Sequence, residues 1–204
     1  MYNKYVVKNL LESFAKYAGI ATVCVEWLAL LLYFTKMPAY FGGKYPISYF
    51  AYLPQTRFIF NICYTLAGIF FWIFIRHHLH KQFPVPLKIL GLSLIFFIGL
   101  ALVPFNPNTY TSDLIHGTLG MVSAILLLVG LYILARNAKD RFIYRWTMIM
   151  LTVSLLLFIA FLVSPKQSTL IFAFEAGSWL AVQIWVVWIS FYTYKNPLLK
   201  NSVQ

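Results

Sequence analysis

Charged side chains are scarce in this chain: they make up 10% of its 204 residues, and only five residues are acidic. An average soluble domain contains about 25% charged residues, because its surface must carry groups that water solvates. The hydrophobic share of 61% and the mean hydropathy of +0.77 agree with this shortage. These values exclude soluble globular, disordered and disulfide-scaffold proteins, and they predict an integral membrane protein.

Residues that carry cofactor or covalent chemistry are scarce as well. The two cysteines, Cys24 and Cys63, lie inside apolar runs and are interpreted as small buried hydrophobes rather than a disulfide. The chain has no G-x-S-x-G motif, no Gly-rich phosphate loop and no Cys-x-x-Cys pair. Of the four histidines only His116 is predicted to be embedded, since the others lie in the cluster 76–81 at the end of an apolar stretch. We therefore predict no cofactor and no metal.

Six apolar stretches approach the roughly 20 helical residues that a bilayer core requires. They cover about 18–34, 58–75, 89–105, 114–135, 142–163 and 170–194. No internal repeat, low-complexity tract or second domain is visible. The prediction is therefore an all-α bundle of six transmembrane helices that forms a single domain over 1–204. No cleavage site follows the first stretch, which is therefore expected to be an anchor.

Basic residues are distributed unequally between the two ends of these stretches. If the chain starts in the cytoplasm, four basic residues fall outside, namely Lys36, Lys44, Arg57 and Lys166, and the remaining twelve of 16 fall inside. Lys and Arg accumulate in cytoplasmic loops, and there they also explain the net charge of +11 without a nucleic acid partner. Both termini are thus predicted to be cytoplasmic, in a multi-pass protein of the cell (inner) membrane surrounded by membrane lipids.

Two segments outside the predicted spans admit two interpretations each. Residues 1–17 carry apolar positions at helical spacing beside lysines, which suits either a helix in the inner interface or an extension of the first span. The loop 35–57 is rich in Tyr and Phe and is interrupted by Gly42, Gly43 and Pro46. It is either an ordered cap on the outer face or an aromatic belt at the headgroups.

Ionisable and amide side chains inside a span are costly unless they are paired, so each of them marks a candidate site. The candidates for a ligand pocket are Glu26, Asn61, Asp113, His116, Glu175, Trp179 and Gln183. On the predicted topology, Asn61, His116 and Glu175 share one level in the outer leaflet. Their helix faces continue with small or polar residues at steps of three and four, which predicts that these faces look into the bundle. Glu26 lies deeper, near the middle of its span.

Each candidate also has a structural interpretation. Asp113 suits an N-cap or first-turn acid, Asn61 an interhelical hydrogen bond, and Glu26 a protonated carboxyl bonded to a neighbour. His116 and Glu175 form either a structural pair or a ligand-binding or proton-handling site. If the chain is an enzyme, these two are its candidate catalytic residues.

The arrangement of these features resembles a known group of proteins. The features are six spans, Pro46-Ile47-Ser48 in the first outer loop, Asn61 in the second span, the proline-containing sequence VPFNPN at the end of the third span, His116 and Glu175. The chain resembles the bacterial and archaeal six-span proteins of unknown function that are loosely grouped with the DRAM and Sfk type membrane proteins. The resemblance implies a shared six-helix fold and no activity.

Three functions follow from these observations. The first is an outward-opening polar pocket that binds a lipid or small amphiphile, or supports a membrane partner. The second is an intramembrane enzyme that acts on a lipid headgroup or isoprenoid, with His116 and Glu175 as acid and base. The third is a small proton-coupled carrier that uses Glu26. The sequence leaves the oligomeric state open.

Overall fold

The computed structural model of the chain describes residues 2–38, 47–81, 85–103, 105–106, 108–165 and 170–195. Within these residues the fold is all-helical and contains no strand. The helices are α1 Tyr2–Lys36, α2 Pro54–His77, α3 Leu87–Leu102, α4 Tyr110–Asn137, α5 Arg141–Val163 and α6 Ile171–Lys195. The predicted all-α fold is confirmed.

Five of these helices are long and apolar enough to cross a membrane. They contain the segments Ser13–Lys36, Pro54–His77, Tyr110–Asn137, Arg141–Val163 and Phe172–Lys195. The helix α3 is apolar but has 16 residues, so it is about 24 Å long at about 1.5 Å per residue. The predicted third span ended at residue 105, whereas α3 ends at Leu102 and leaves Phe105 outside the helix.

Local signals explain where several helices begin. Pro54 occupies the first turn of α2, where its missing N–H costs no hydrogen bond. Asp140 caps α5, because its Oδ1 accepts hydrogen bonds from the backbone N–H groups of Phe142 at 2.7 Å and Ile143 at 3.3 Å. The helix α1 runs without interruption from Tyr2, which fits an extension of the first span rather than a separate helix lying in the interface.

The helices form a ring in chain order. Each helix packs against the next along the chain, and α6 also packs against α1. The contacts of α3 with α4 show that the two are antiparallel along the whole of α3: Leu90 meets Gly130, and Leu100 lies 3.8 Å from the position of a Cβ on Gly120. The short helix is therefore an integral member of the ring.

An additional 3₁₀ helix, Ile47–Ala51, packs onto one end of the bundle. The ring of Phe50 is 1% exposed and stacks on Tyr33 of α1 with centroids 4.5 Å apart. Thr56 at the start of α2 donates a hydrogen bond of 2.8 Å to the carbonyl oxygen of Phe50. The part of the predicted cap loop at 39–46 lies outside the described residues.

One prediction about burial is wrong. Cys24 is exposed on the side of α1, whereas Cys63 is buried as expected, and both are free thiols. His78 lies at the end of α2 as expected, where it is buried against α6 and its Nε2 lies 2.8 Å from the hydroxyl of Thr193.

Candidate functional site

The deepest of the candidate residues join α1 to α6. The side-chain amide of Gln183 donates a hydrogen bond of 2.5 Å to Oε2 of Glu26. Both side chains are buried, with 7% of Glu26 and 9% of Gln183 exposed. A buried polar group is costly without a partner, so this bond stabilises the contact between the first and last helices.

Trp179 of α6 lines several cavities of the bundle. Glu175, Trp179 and Gln183 follow one another at steps of four along α6, so each lies about 6 Å above or below the next. Trp179 lines a cavity that contains His116 and Glu175, and it also lines the cavities that contain Glu26 and Gln183. The residues that were expected to form one pocket therefore lie in different cavities that share Trp179 in their walls.

The first polar region is a cavity between α4, α5 and α6. The volume of this cavity is about 200 Å³. Its polar wall contains Ser48, His116 and Glu175, and its remaining lining is largely apolar, including Phe158 and Phe161. A mostly apolar cavity with a few converging polar groups is the usual form of a small-molecule site.

His116 is the least satisfied polar group in this cavity. It is 5% exposed, and neither Nδ1 nor Nε2 has a hydrogen-bond partner among the described residues. One face of its ring stacks on Phe105, with centroids 4.1 Å apart. A neutral imidazole offers one donor and one acceptor, and leaving such groups unpaired costs about 1–3 kcal/mol.

Glu175 is held by the loop rather than by His116. Its Oε2 accepts a hydrogen bond from the backbone N–H of Ile47, in the 3₁₀ helix that packs on the end of the bundle. This bond ties the loop to α6 and places Ser48 beside the same cavity. The two candidate catalytic residues thus share a cavity without forming a hydrogen bond to each other in the described structure.

Asn61 and Asp113 line none of these three cavities. The backbone carbonyl oxygens of Ala101 and Arg57 lie 2.7 Å and 3.0 Å from one end of the Asn61 amide, and its nitrogen donates to both when the amide is oriented with the nitrogen at that end. It therefore makes the interhelical bond that was its structural interpretation, between α2 and α3. Asp113 lies in the first turn of α4, and its backbone N–H donates to the carbonyl oxygen of Thr109 at 3.0 Å.

The sequence analysis missed two interior hydroxyl residues, Thr22 and Ser93, whereas Ser123 lies on the same helix face as His116, which was predicted to look into the bundle. Thr22, Ser93 and Ser123 line an interior cavity beside Glu26. The volume of this cavity is about 30 Å³. Ser93 and Ser123 donate to each other's backbone carbonyl oxygens at 2.8 and 3.0 Å. Hydroxyl side chains in apolar runs were not treated as candidates, although small polar residues are common where membrane helices meet.

The described residues contain no group of three or more His, Cys, Asp or Glu side chains that could hold a metal ion. Comparison with known protein families, with curated proteins and with solved structures found no match. The resemblance to the six-span proteins of unknown function therefore stays a prediction.

Proposed function

We propose that this chain crosses the membrane six times, with both termini in the cytoplasm, and binds a lipid or small amphiphile in the cavity beside His116 and Glu175. Side chains that point away from the bundle support a membrane location. Leu31, Ile95 and Leu156 lie on different helices and are 61%, 67% and 62% exposed. Apolar side chains exposed all around a bundle suit contact with lipid.

The packing of α3 supports a sixth crossing. Because α3 is antiparallel to α4 along its length, the chain returns across the bundle between α2 and α4. A helix of about 24 Å is shorter than a bilayer core of about 30 Å, but local thinning of the bilayer accommodates such a mismatch at modest cost. The excess of basic residues at one end supports the cytoplasmic termini. An all-helical bundle suits the inner cell membrane, since outer membranes are spanned mainly by barrels.

The observation that carries the ligand proposal is the unpartnered imidazole of His116 in the wall of the cavity. A ligand hydroxyl, carbonyl or phosphate oxygen at this position would satisfy one ring nitrogen. The apolar remainder of the lining suits a hydrocarbon chain. Such a ligand has one polar end and one apolar end, which is the definition of an amphiphile.

The position of the cavity supports access from the membrane. Met121 and Leu162 line the cavity and are also 44% and 48% exposed on the surface of the bundle. The cavity therefore reaches the side of the bundle between α4 and α5. An amphiphile could pass from the bilayer into it without crossing the aqueous phase.

The other two functions are less well supported. An acid–base pair would be favoured by a hydrogen bond between His116 and Glu175, but Glu175 is bonded to the backbone of Ile47. A carrier that protonates Glu26 would have to change the bond between Glu26 and Gln183 in each cycle. We therefore propose binding rather than catalysis or transport.

The experiment is the measurement of bound amphiphile in protein purified in a mild detergent, by solvent extraction and mass spectrometry. Wild-type protein should retain on the order of one amphiphile per chain. The variant His116→Phe keeps the ring but removes both nitrogens, and Gly117→Leu adds bulk where a Cβ meets nothing within 4 Å. Both should lower retention at least fivefold.

The control is Leu156→Phe, which adds bulk at a 62% exposed position of α5 that does not line the cavity. It should retain as much amphiphile as the wild type. Equal retention in all four proteins would show that the extracted molecules come from the surrounding detergent and lipid, and would contradict the proposed function.

A further inference from the structure

A second cavity lies between α1 and α6, on the other side of Trp179 from His116. Its volume is about 260 Å³. Its lining combines one carboxylate, Glu26, with the amide of Gln183 and the aromatic rings of Trp27, Tyr64 and Trp179. None of the described residues that line it is basic.

Glu26 has unused capacity to accept hydrogen bonds at this cavity. Its Oε2 accepts from Gln183, the one hydrogen-bond partner of the side chain among the described residues. Its Oε1 therefore remains available, although more than nine-tenths of the residue is buried. The carboxyl group of Glu26 has no positive partner among the described residues that line this cavity, and a cationic ligand would stabilise its ionised form.

The aromatic rings favour a particular kind of cation. The faces of Trp and Tyr attract ammonium groups through the ring quadrupole, and the attraction is strongest when both partners are removed from water. Substituted ammonium groups are weakly hydrated and fit between aromatic rings better than an inorganic ion does.

We propose that this cavity binds the substituted ammonium group of a membrane-soluble amine, with the ammonium beside Oε1 of Glu26 and among the rings of Trp27, Tyr64 and Trp179. Trp27 and Leu180 line the cavity and are 46% and 41% exposed, so it opens to the side of the bundle. Glu26 lies near the middle of the segment Ser13–Lys36. At that depth a lipophilic amine is a better ligand than the headgroup of a bilayer phospholipid.

This site is separate from the proposed amphiphile site. The cavity of His116 is lined by α4, α5 and α6 together with Ser48 and Leu100, whereas this one is lined by α1, α2 and α6 together with Ile47. Among the described residues, Trp179 is the one that lines both cavities. Either site can therefore be absent while the other is present, and different variants test them.

The experiment uses the full chain in nanodiscs of phosphatidylglycerol and measures binding by isothermal titration calorimetry. The probe is benzyltrimethylammonium, and its neutral isostere neopentylbenzene has the same shape without the charge. The cation should bind at least tenfold more tightly than the isostere. The variant Glu26→Gln, in which an amide can still pair with Gln183, should weaken cation binding at least tenfold.

Two further variants separate loss of the site from loss of the fold. Trp27 is half exposed, so Trp27→Leu should fold normally and weaken cation binding about fivefold through the lost ring. Asp140→Asn also removes one carboxylate, at the start of α5 and away from the cavity, and should bind as the wild type does. Unchanged affinity in Glu26→Gln and Trp27→Leu, or equal binding of the isostere, would overturn the proposal.

A final arm distinguishes a free amine from a lipid headgroup. Phosphatidylcholine carries the same trimethylammonium group, and half of the nanodisc lipid is replaced with it. Unchanged probe affinity is expected, because the headgroup cannot reach the level of Glu26. A severalfold loss of probe affinity would show that the headgroup competes, and would overturn the assignment of the site to a membrane-soluble amine.

Discussion

Gln183, at the middle of α6, donates a hydrogen bond to Glu26 near the middle of the transmembrane segment of α1. The two residues are separated by 157 positions in the sequence, and their bond connects the first and last helices of the ring. The seam between these helices also contains the cavity of the proposed amine site. The bond is therefore both a structural link and one wall of a candidate site.

The first prediction concerns this bond. Gln183→Leu should lower the free energy of unfolding by about 1–3 kcal/mol, since it leaves a buried carboxyl without its partner. Glu26→Gln should cost less, because two amides can still bond. Unfolding of purified protein in mixed micelles of mild detergent and SDS measures the change.

The double variant Glu26→Leu/Gln183→Leu provides the control. It removes both polar groups, so its loss of unfolding free energy should be smaller than the sum of the losses in the single variants Glu26→Leu and Gln183→Leu. Strictly additive losses would mean that the two side chains do not depend on each other for stability.

The second prediction concerns the close approach of α3 and α4. A Cβ atom on Gly130 would overlap Leu90, which is 1% exposed and cannot move aside easily. Gly130→Ala should therefore destabilise the protein by about 1–3 kcal/mol. Gly117→Ala is the matched control, because a Cβ there meets nothing within 4 Å. The control should be neutral or more stable by up to about 1 kcal/mol, since Ala favours helix over Gly. Equal effects at both positions would contradict the packing.

The sequence predicted the helices well because their physical signal is strong. A stretch such as 142–163 has enough apolar residues to identify a span without knowledge of its neighbours. It also predicted that Glu26 and Gln183 are interior residues, because exposure of either to lipid would be costly. These are properties of single helices.

What the sequence could not predict are the relations between helices. Depth placed Asn61, His116 and Glu175 at one level, but only the rotation and packing of the helices decide which side chains meet. Asn61 is bonded to a backbone carbonyl of α3, and Trp179 separates the cavity of His116 from that of Glu26. The burial of His78 likewise depends on Thr193, which is 115 residues away.

The third prediction is a pH dependence at the start of α5. Partial burial disfavours ionisation of Asp140, but hydrogen bonds from the Tyr192 hydroxyl and from the N–H groups of Phe142 and Ile143 outweigh it and lower the pKa of Asp140 below its usual value of 3.8. A group with a lowered pKa in the folded state stabilises the protein above its unfolded pKa, and this contribution is lost as the pH falls through the folded pKa.

Asp140→Ala should therefore cost about 1 kcal/mol at pH 7, the usual value for loss of a helix cap. The difference from the wild type should shrink as the pH falls below about 3.8, where the carboxylate becomes protonated. Thermal unfolding in detergent at several pH values measures it. Asp140→Asn keeps a neutral cap, so its difference from Asp140→Ala should not change with pH. A wild-type advantage over Asp140→Ala that is constant down to pH 2 would refute this account.

The last prediction is the topology, tested with single cysteines in a chain from which Cys24 and Cys63 have been replaced by alanine. His80, Thr109 and Lys139 lie after α2, α3 and α4, respectively. A membrane-impermeant maleimide should label Thr109→Cys in intact cells, but His80→Cys and Lys139→Cys only after permeabilisation, because their loops carry the basic residues that stay in the cytoplasm. The comparison of labelling at His80 and Thr109 decides whether the short helix α3 crosses the membrane. The comparison of labelling at Thr109 and Lys139 does the same for α4.

Labelling of His80→Cys and Thr109→Cys from the same side would reduce the crossings to five and place the termini on opposite sides of the membrane. The reverse pattern at all three positions would keep six crossings and invert the orientation.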